Sequence, residues 1–176
     1  MTSIIKVDQI QDTGGNNIIT SNGSGVLSAL ASGFGKMAQM VFDTKNDETS
    51  TASTSFVDTG LSLNITPTKT NSKIIVFMWG RIGAEDGSRE IEHRILRDST
   101  VVNSGRDLYD KVTSDTGGIY ANSIHMFVID EPSTTSQITY KFQTKTNNAD
   151  NRSRLIADDA TAVNPLAYLV AMEILA

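Results

Sequence analysis

Apolar residues along this chain recur mainly at every second position, in short segments separated by polar turns. The clearest alternation is at 137–145, where Ile138, Tyr140 and Phe142 occupy every second position. Residues 61–65 show the same period. Side chains two residues apart lie on the same face of a strand, so each segment predicts a half-buried β-strand. Apart from the C-terminal segment, no segment of similar length has the period of a helix.

A second kind of segment is apolar at consecutive positions. Residues 74–79 read Ile-Ile-Val-Phe-Met-Trp and end at Gly80. A run this short and this rich in β-branched and aromatic residues predicts a strand that is buried on both faces. In an antiparallel sandwich the opposite sheet would cover one face. The other face would need a further cover, for which a partner subunit is the simplest candidate.

The C-terminal segment, 166–175, allows two interpretations. Leu166 and Leu169 fall on one helical face, and Pro165 suits the first turn of a helix. However, apolar residues also occupy every second position from 166 to 174, and no helix cap follows them. We therefore predict a strand rather than a helix.

Together these segments amount to eight or nine strands, with turn signals every eight to twelve residues. This spacing is typical of a sandwich or barrel, and eight strands are the usual number in a jelly roll. We predict an all-β fold: an eight- to nine-stranded antiparallel jelly-roll sandwich with an extended N-terminal arm. The predicted boundaries are residues 1–35 for the attachment arm and residues 36–176 for the jelly-roll domain.

Residues 1–35 cannot build a core of their own. Two short apolar clusters flank the turn Gly14-Gly15-Asn16-Asn17, and a hinge of small polar residues follows at 20–25. Such a segment gains stable burial only against another surface, either neighbouring copies of the chain or a larger assembly. The residues predicted to make this attachment are Ile4, Ile5, Val7, Ile10, Ile18 and Ile19.

Composition narrows the classes of function. The chain has 176 residues, a hydrophobic fraction of 39%, a net charge of −5 and no cysteine. The absence of cysteine excludes a disulfide framework and a thiolate metal site. Nucleic acid is not expected as a partner, because phosphate binding needs a concentration of basic residues. A membrane is not expected either, because no apolar stretch reaches the ~20 residues of a spanning helix.

No catalytic motif is present. His93 and His125 occur on separate strands without a His-Glu-x-x-His helix, and both are interpreted as structural. No glycine-rich phosphate loop or Gly-x-Ser-x-Gly nucleophile elbow occurs. Carboxylates lie in turns, and a loop calcium at Asp158-Asp159 remains an alternative to plain solvated residues. We predict that the protein is not an enzyme and has no cofactor and no metal.

Two polar loops, 104–118 and 144–154, offer the residue types that recognise sugars. Tyrosine stacks on sugar rings, and asparagine and arginine bond to their hydroxyls. A receptor-contacting tip is therefore one hypothesis, and solvated connecting loops are the alternative. The candidate receptor residues are Arg106, Tyr109, Asn147, Asn148 and Arg152.

The N-terminal segment resembles the start of many virion structural proteins of marine tailed bacteriophages, cyanophages especially. Their N-termini often run Ser-x-Ile-Lys-Val-Asp-x-Ile-x-Asp-x-x-Gly-x-Asn-x-Ile, and the corresponding residues are 3–19. The match covers about a tenth of the chain. This resemblance implies a root that joins a fibre or appendage module to the particle.

Residues 37–176 resemble the tumour-necrosis-factor-like and complement-globular-head family of trimeric jelly rolls. The likeness is carried by Phe-Val-Asp-Thr-Gly-Leu at 56–61, the apolar strand at 74–79, Thr-Tyr-Lys-Phe at 139–142 and the final apolar strand. In that family the all-apolar strand and the final strand line the threefold axis. The resemblance therefore implies a trimer interface that includes Trp79, Tyr168, Val170 and Met172.

We therefore expect a phage virion structural protein, a homotrimeric fibre or tail-associated appendage that attaches to the particle by its arm. Its expected partners are its own copies, other virion proteins and a host cell-surface glycan, and its expected location is the virion, after assembly in the host cytoplasm. Two alternatives remain open: a capsid decoration or cement protein, and a carbohydrate-binding module.

Overall fold

The computed structural model describes nine stretches of the chain: residues 9–11, 13–15, 17–21, 27–29, 36–85, 89–109, 119–147, 153–155 and 167–175. The chain divides into two compact units, residues 1–35 and residues 36–176. No helix within the described stretches is long and apolar enough to cross a membrane.

The described part of the first unit is a small antiparallel sheet. Its strands are β1 (Gln9–Gln11), β2 (Asn17–Ser21) and β3 (Leu27–Ala29), in the order β1-β2-β3. The turn between β1 and β2 contains Gly15 at a φ of 80°, a left-handed conformation that glycine adopts without strain. The N-terminal arm therefore contains a folded hairpin with a third strand and is not extended throughout.

Ten strands belong to the described part of the second unit. They are β4 (Lys36–Lys45), β5 (Thr49–Thr51), β6 (Val57–Ile65), β7 (Lys73–Glu85), β8 (Arg89–Arg97), β9 (Thr100–Tyr109), β10 (Ile119–Asp130), β11 (Ile138–Thr146), β12 (Ser153–Leu155) and β13 (Ala167–Leu175). Eight of them have nine or more residues, and β5 and β12 have three each.

The eight long strands form two antiparallel sheets with the strand order of a jelly roll. One sheet contains β4, β13, β7 and β10 in that order, and the other contains β6, β11, β8 and β9. If the long strands are numbered one to eight along the chain, the sheets read 1-8-3-6 and 2-7-4-5. The chain thus crosses repeatedly between the sheets, as it does in a jelly roll. The predicted all-β jelly-roll sandwich is confirmed.

The short strands enlarge the first sheet, which we call the six-stranded sheet. β12 pairs with the end of β7 that β13 leaves unpaired, and β5 pairs with β12. We call the second sheet the four-stranded sheet.

Alternation places one face of each sheet in a common core. On β6, Leu61 and Leu63 are buried, and on β11 Ile138, Tyr140 and Phe142 are buried. These are the inward positions that the period of two predicted. The final segment is strand β13, so the strand prediction is confirmed there and the helical alternative is wrong.

In the single chain β7 is buried on one face only, so the predicted cover of its second face by a partner subunit stays a prediction. Ile74, Val76 and Met78 are buried, whereas Phe77 and Trp79 are 40% and 38% exposed. The four-stranded sheet covers one face of β7, and the described residues of the second unit leave the other face partly exposed.

Two strands occur where loops were predicted. β5 forms within a polar segment because it pairs with β12. β9 continues to Tyr109 because its register with β8 is kept as far as the pair Tyr109 and Arg89. The predicted loop positions of Arg106 and Tyr109 are therefore wrong, since both residues belong to a strand.

A charged cluster connects the two sheets at the end of β10. Arg97 of β8 donates two hydrogen bonds to the carboxylate of Asp130 in β10, at 2.6 and 2.7 Å. The phenol of Tyr140 in β11 donates a third at 2.5 Å. Burial, together with the adjacent Asp130 carboxylate, raises the pKa of Tyr140, so its phenol stays protonated and remains a donor. One carboxylate of the six-stranded sheet therefore holds two strands of the other sheet.

Gly105→Ala is expected to destabilise the fold. Gly105 is the cross-strand partner of His93, and a Cβ at this position would overlap Nε2 of the buried imidazole. We expect a loss of about 1–3 kcal/mol in the free energy of unfolding, measured by urea denaturation. The exposed neighbour Ser104 provides the control, since Ser104→Ala is expected to change stability by less than about 0.5 kcal/mol. Equal urea midpoints for the two variants would contradict the predicted overlap.

Candidate functional site on the outer face of the six-stranded sheet

The outer face of the six-stranded sheet is apolar across four strands. The pairing register aligns one residue from each of β4, β13, β7 and β10 in successive rows. The rows are Thr44, Tyr168, Trp79 and His125; Phe42, Val170, Phe77 and Phe127; and Met40, Met172, Ile75 and Ile129. We call these twelve residues the outer apolar face.

Much of this face is open to solvent in the single chain. Exposure reaches 64% at Phe42 on the edge strand β4, and it is 51% at Phe127 on the edge strand β10. The large apolar residues exposed on this side of the sheet are Met37, Met40, Phe42, Phe77, Trp79, Phe127 and Ile129. At ~200 Å² for a fully exposed large side chain, their exposure amounts to roughly 700 Å². The largest apolar patch on a typical monomer is about 300–600 Å².

Side chains within the face pack against one another across the strands. The ring centroids of Phe77 and Phe127 are 5.0 Å apart, and those of Trp79 and Tyr168 are 5.5 Å apart. The ring of His125 lies 6.3 Å from that of Trp79. Cross-strand contacts of this kind restrict the rotamers of the rings. These contacts hold five rings of the face against one another across the strands.

The outer face of the four-stranded sheet is polar. Arg94 donates to Gln143 at 2.8 Å, and Gln143 donates to Asp58 at 2.5 Å. Lys141 forms an ion pair with Asp58 at 3.2 Å. The hydrogen bond from Gln143, followed by the contact with Lys141, holds the pKa of Asp58 below its ordinary value. These polar groups satisfy one another within the chain.

A buried carboxylate fixes the corner of the outer apolar face where β4 meets β13. Oε1 of Glu173 accepts hydrogen bonds from the amide and the hydroxyl of Thr68, at 2.7 and 2.8 Å. Its Oε2 accepts one from the side chain of Gln39 at 2.6 Å, and Gln39 also donates to the carbonyl of Thr66. Burial would raise the pKa of Glu173, but its polar contacts with Ser72, Gln39 and Thr68 outweigh it and lower the pKa to about 2. The charged carboxylate therefore ties β13, β4 and the loop after β6 together.

All four residues predicted at a trimer interface lie on the outer apolar face: Trp79, Tyr168, Val170 and Met172. The pairing of β7 with β13 brings them together. Their role in a trimer stays a prediction, while their common exposure on one face is a finding.

Sequence reasoning missed the outer strands of this face. Met40 and Phe42 of β4, and Phe127 and Ile129 of β10, are each more than half exposed. A signal was present, because residues 40–42 and 126–129 are apolar at consecutive positions, as residues 74–79 are. Such runs place apolar side chains on both faces of a strand.

The predicted attachment residues are described only in part. Ile10 in β1 is 46% exposed. Ile18 and Ile19 lie in β2, but their side chains are outside the described part of the structure. The remaining three, Ile4, Ile5 and Val7, lie outside the described residues.

The predicted receptor residues do not form one described cluster. Asn147 is exposed just after β11. The side chains of Arg106 and Tyr109 in β9 are not described, and Asn148 and Arg152 lie outside the described residues. A common receptor site formed by these five residues therefore stays a prediction.

The histidines differ in their surroundings. His93 is buried next to Phe142, with ring centroids 6.1 Å apart, whereas His125 is exposed on the outer apolar face. Among the described residues, no three histidine, aspartate or glutamate side chains are close enough together to hold a metal ion. The candidate calcium residues Asp158 and Asp159 lie outside the described residues.

Comparison with solved structures finds distant likenesses in fold. The chain is similar to VP2 of the infectious bursal disease virus subviral particle, with 14% identity and a TM-score of 0.38 over 89% of this chain and 41% of that chain. It is also similar to the T13 particle of the same virus, with 14% identity and a TM-score of 0.36 over 89% of this chain and 39% of that chain. A third likeness is to the insecticidal delta-endotoxin Cry8Ea1 from Bacillus thuringiensis, with 12% identity and a TM-score of 0.32 over 75% of this chain and 19% of that chain. The chain thus spans less than half the length of each, and no functional conclusion follows from these likenesses.

No protein-family model and no curated protein matches the sequence.

The stability contributed by Glu173 is expected to depend on pH. Its pKa is about 2 in the folded chain against an ordinary value of 4.5, so the unfolded chain binds more protons between these values. The carboxylate therefore stabilises the fold above pH 4.5, and this contribution is lost as the pH falls towards 2. Glu173→Gln should reduce the free energy of unfolding at pH 7 by about 1–3 kcal/mol, and the difference from wild type should shrink below pH 4.

Urea denaturation across this pH range measures the effect. Glu131→Gln is the matched control, because Glu131 is 65% exposed in its ion pair with Lys73. That variant is expected to lose less than about 1 kcal/mol. A difference between wild type and Glu173→Gln that does not vary with pH would contradict the assigned pKa.

Proposed function

We propose that this chain is a non-enzymatic structural protein of a phage virion, whose copies associate into a homotrimer through the outer apolar face. A fibre or tail-associated appendage is the form that we favour. The observation that supports assembly is the exposed apolar face itself. The resemblance of residues 3–19 to the start of phage virion proteins supports the location.

A second copy of the chain suits the face in area and in chemistry. The exposed apolar side chains amount to roughly 700 Å² per copy on the basis of their typical areas. A stable specific interface buries about 800 Å² per partner. The core of an interface is depleted in charged residues, and the twelve positions of the outer apolar face include none that is formally charged.

The composition also favours stabilisation by assembly. The chain contains no cysteine, so disulfide bonds cannot support it outside the cell. A subunit that is folded and assembled at the same time gains stability by mass action. Burial of the outer apolar face would supply this gain without any covalent link.

The two units of the chain would then have separate duties. The N-terminal arm, with Ile10 already exposed on β1, would attach the trimer to other virion proteins. The exposed end of β11 at Asn147 belongs to the predicted receptor loops and would be available to a host glycan.

Phe77→Lys is expected to abolish the trimer. Phe77 lies in the middle row, so the substitution places a charge at the centre of the outer apolar face. The side chain is already 40% exposed in the single chain, so the subunit should still fold. Native mass spectrometry at micromolar concentration should show a trimer for wild type and a monomer for the variant.

Ser104→Lys is the matched control, since it adds the same charge on the four-stranded sheet opposite Arg94. This variant should remain trimeric. A folded wild-type chain that is monomeric at micromolar concentration would overturn the proposal.

Deletion of residues 1–25 is expected to separate attachment from assembly. These residues belong to the first compact unit, so the second unit should still form a trimer. Incorporation of the truncated protein into particles should be lost, as measured by its abundance in purified virions. Incorporation at the wild-type level would refute the attachment role, and loss of the trimer would show that the arm is needed for assembly instead.

A further inference from the structure

Methionines are concentrated at one corner of the exposed side of the six-stranded sheet. The chain has six methionines. Met37 and Met40 of β4 are 55% and 53% exposed, and Met172 of β13 is the cross-strand partner of Met40. The other two described methionines, Met78 and Met126, lie in the core, at 1% and 7% exposure.

The corner is continuous with the outer apolar face. Met37 is the cross-strand partner of Ile174, in the row that follows Met40 and Met172. Residues 172 and 174 of β13 are both partly exposed, while Glu173 between them points inward. The three methionine sulfurs therefore lie on the side of the sheet that we propose to be buried on assembly.

Thioethers differ from the other apolar side chains of this face because a mild oxidant makes them polar. The sulfur lone pair attacks one oxygen of hydrogen peroxide, and the S–O bond forms as the O–O bond breaks. The proton on the transferred oxygen passes to the departing hydroxide, which leaves as water. Sulfur is oxidised by two electrons, and the peroxide is reduced by two. The product, methionine sulfoxide, is polar, and its formation is reversible by sulfoxide reductases. No thiol in the chain competes for the oxidant, since the sequence contains no cysteine.

We propose that Met37, Met40 and Met172 form an oxidation site that controls self-association. Sulfoxides at this corner keep an unassembled chain from joining other copies. The inference rests on the proposed function, namely assembly through the outer apolar face. Burying a sulfoxide oxygen without a hydrogen-bond partner is unfavourable, and we expect a roughly tenfold or greater loss in the association constant for each sulfoxide.

Assembly and oxidation are linked in both directions. Sulfoxides weaken association, and association, by burying the outer apolar face, shields the same sulfurs from the oxidant. Peroxide should therefore reach Met37, Met40 and Met172 in the dilute, dissociated chain and react with them slowly in the assembled one. Met78 and Met126 should be protected in both states, because the core of the single chain already covers them.

The test treats the full chain with hydrogen peroxide at one concentration where it is dissociated and one where it is assembled. Peptide mass spectrometry measures the oxidation rate at each methionine, and native mass spectrometry measures the oligomer. We expect the dissociated chain to be oxidised at the corner and then to remain monomeric on concentration. Treatment with sulfoxide reductases for both epimers should restore assembly, which separates methionine oxidation from damage to Trp79.

The matched variant is Met37→Leu/Met40→Leu/Met172→Leu, which preserves side-chain volume and apolarity. It should assemble like wild type and continue to assemble after peroxide treatment.

Three results would overturn the inference. They are an oxidised chain that assembles as tightly as the untreated one, equal oxidation of Met37 and Met78, and a triple leucine variant that loses assembly after peroxide. An untreated chain that never assembles would instead refute the proposed function, and the native mass before oxidation reveals that case separately.

Discussion

The six-stranded sheet carries apolar side chains on both faces, but the sandwich covers only one of them. On β7 this is seen directly, since Ile74 and Val76 are buried while Phe77 is exposed. Successive side chains of a strand point to opposite faces, and in a two-layer fold the opposite sheet covers only one of these faces. The described residues of the second unit therefore leave an excess of apolar side chains on the outer side of this sheet.

The polar groups are distributed so that this face remains available. Asp130 and Glu173 bind their partners at the margins of the sandwich, where each joins separate strands or loops. The charged residues around Asp58 and Gln143 lie on the opposite outer face and satisfy one another. Hydrogen bonds and ion pairs thus secure the fold of the subunit without occupying the outer apolar face.

The alternating segments could be interpreted from sequence because one face of each was polar. The alternation of Ile138, Tyr140 and Phe142 with polar neighbours identifies both the strand and its buried side. Where both faces are apolar, as in residues 40–42, periodicity does not say which face is covered, because that depends on the order of strands in the sheets. The resemblance to trimeric jelly rolls identified the face on β7 and β13 but not its extension to β4 and β10.

Strand length was the other property that could not be predicted. β9 reaches Tyr109 through residues such as Ser104 and Gly105, which have little intrinsic preference for a strand. Their conformation is set by backbone pairing with β8, and in particular by the close approach of Gly105 to His93. Long-range pairing of this kind leaves no periodic signal, so Arg106 and Tyr109 were assigned to a loop.

The distribution of exposed residues over the face also bears on the symmetry of assembly. A threefold ring requires two unlike contact regions on each copy, whereas a twofold contact joins like with like. The two edges of the outer apolar face are unlike: β4 presents Met40 and Phe42, and β10 presents Phe127 and Ile129. Methionine packs favourably against aromatic rings, so the β4 edge of one copy is chemically suited to the β10 edge of the next. The same unlike edges that suit the proposed trimer place the oxidisable sulfurs on only one side of each contact.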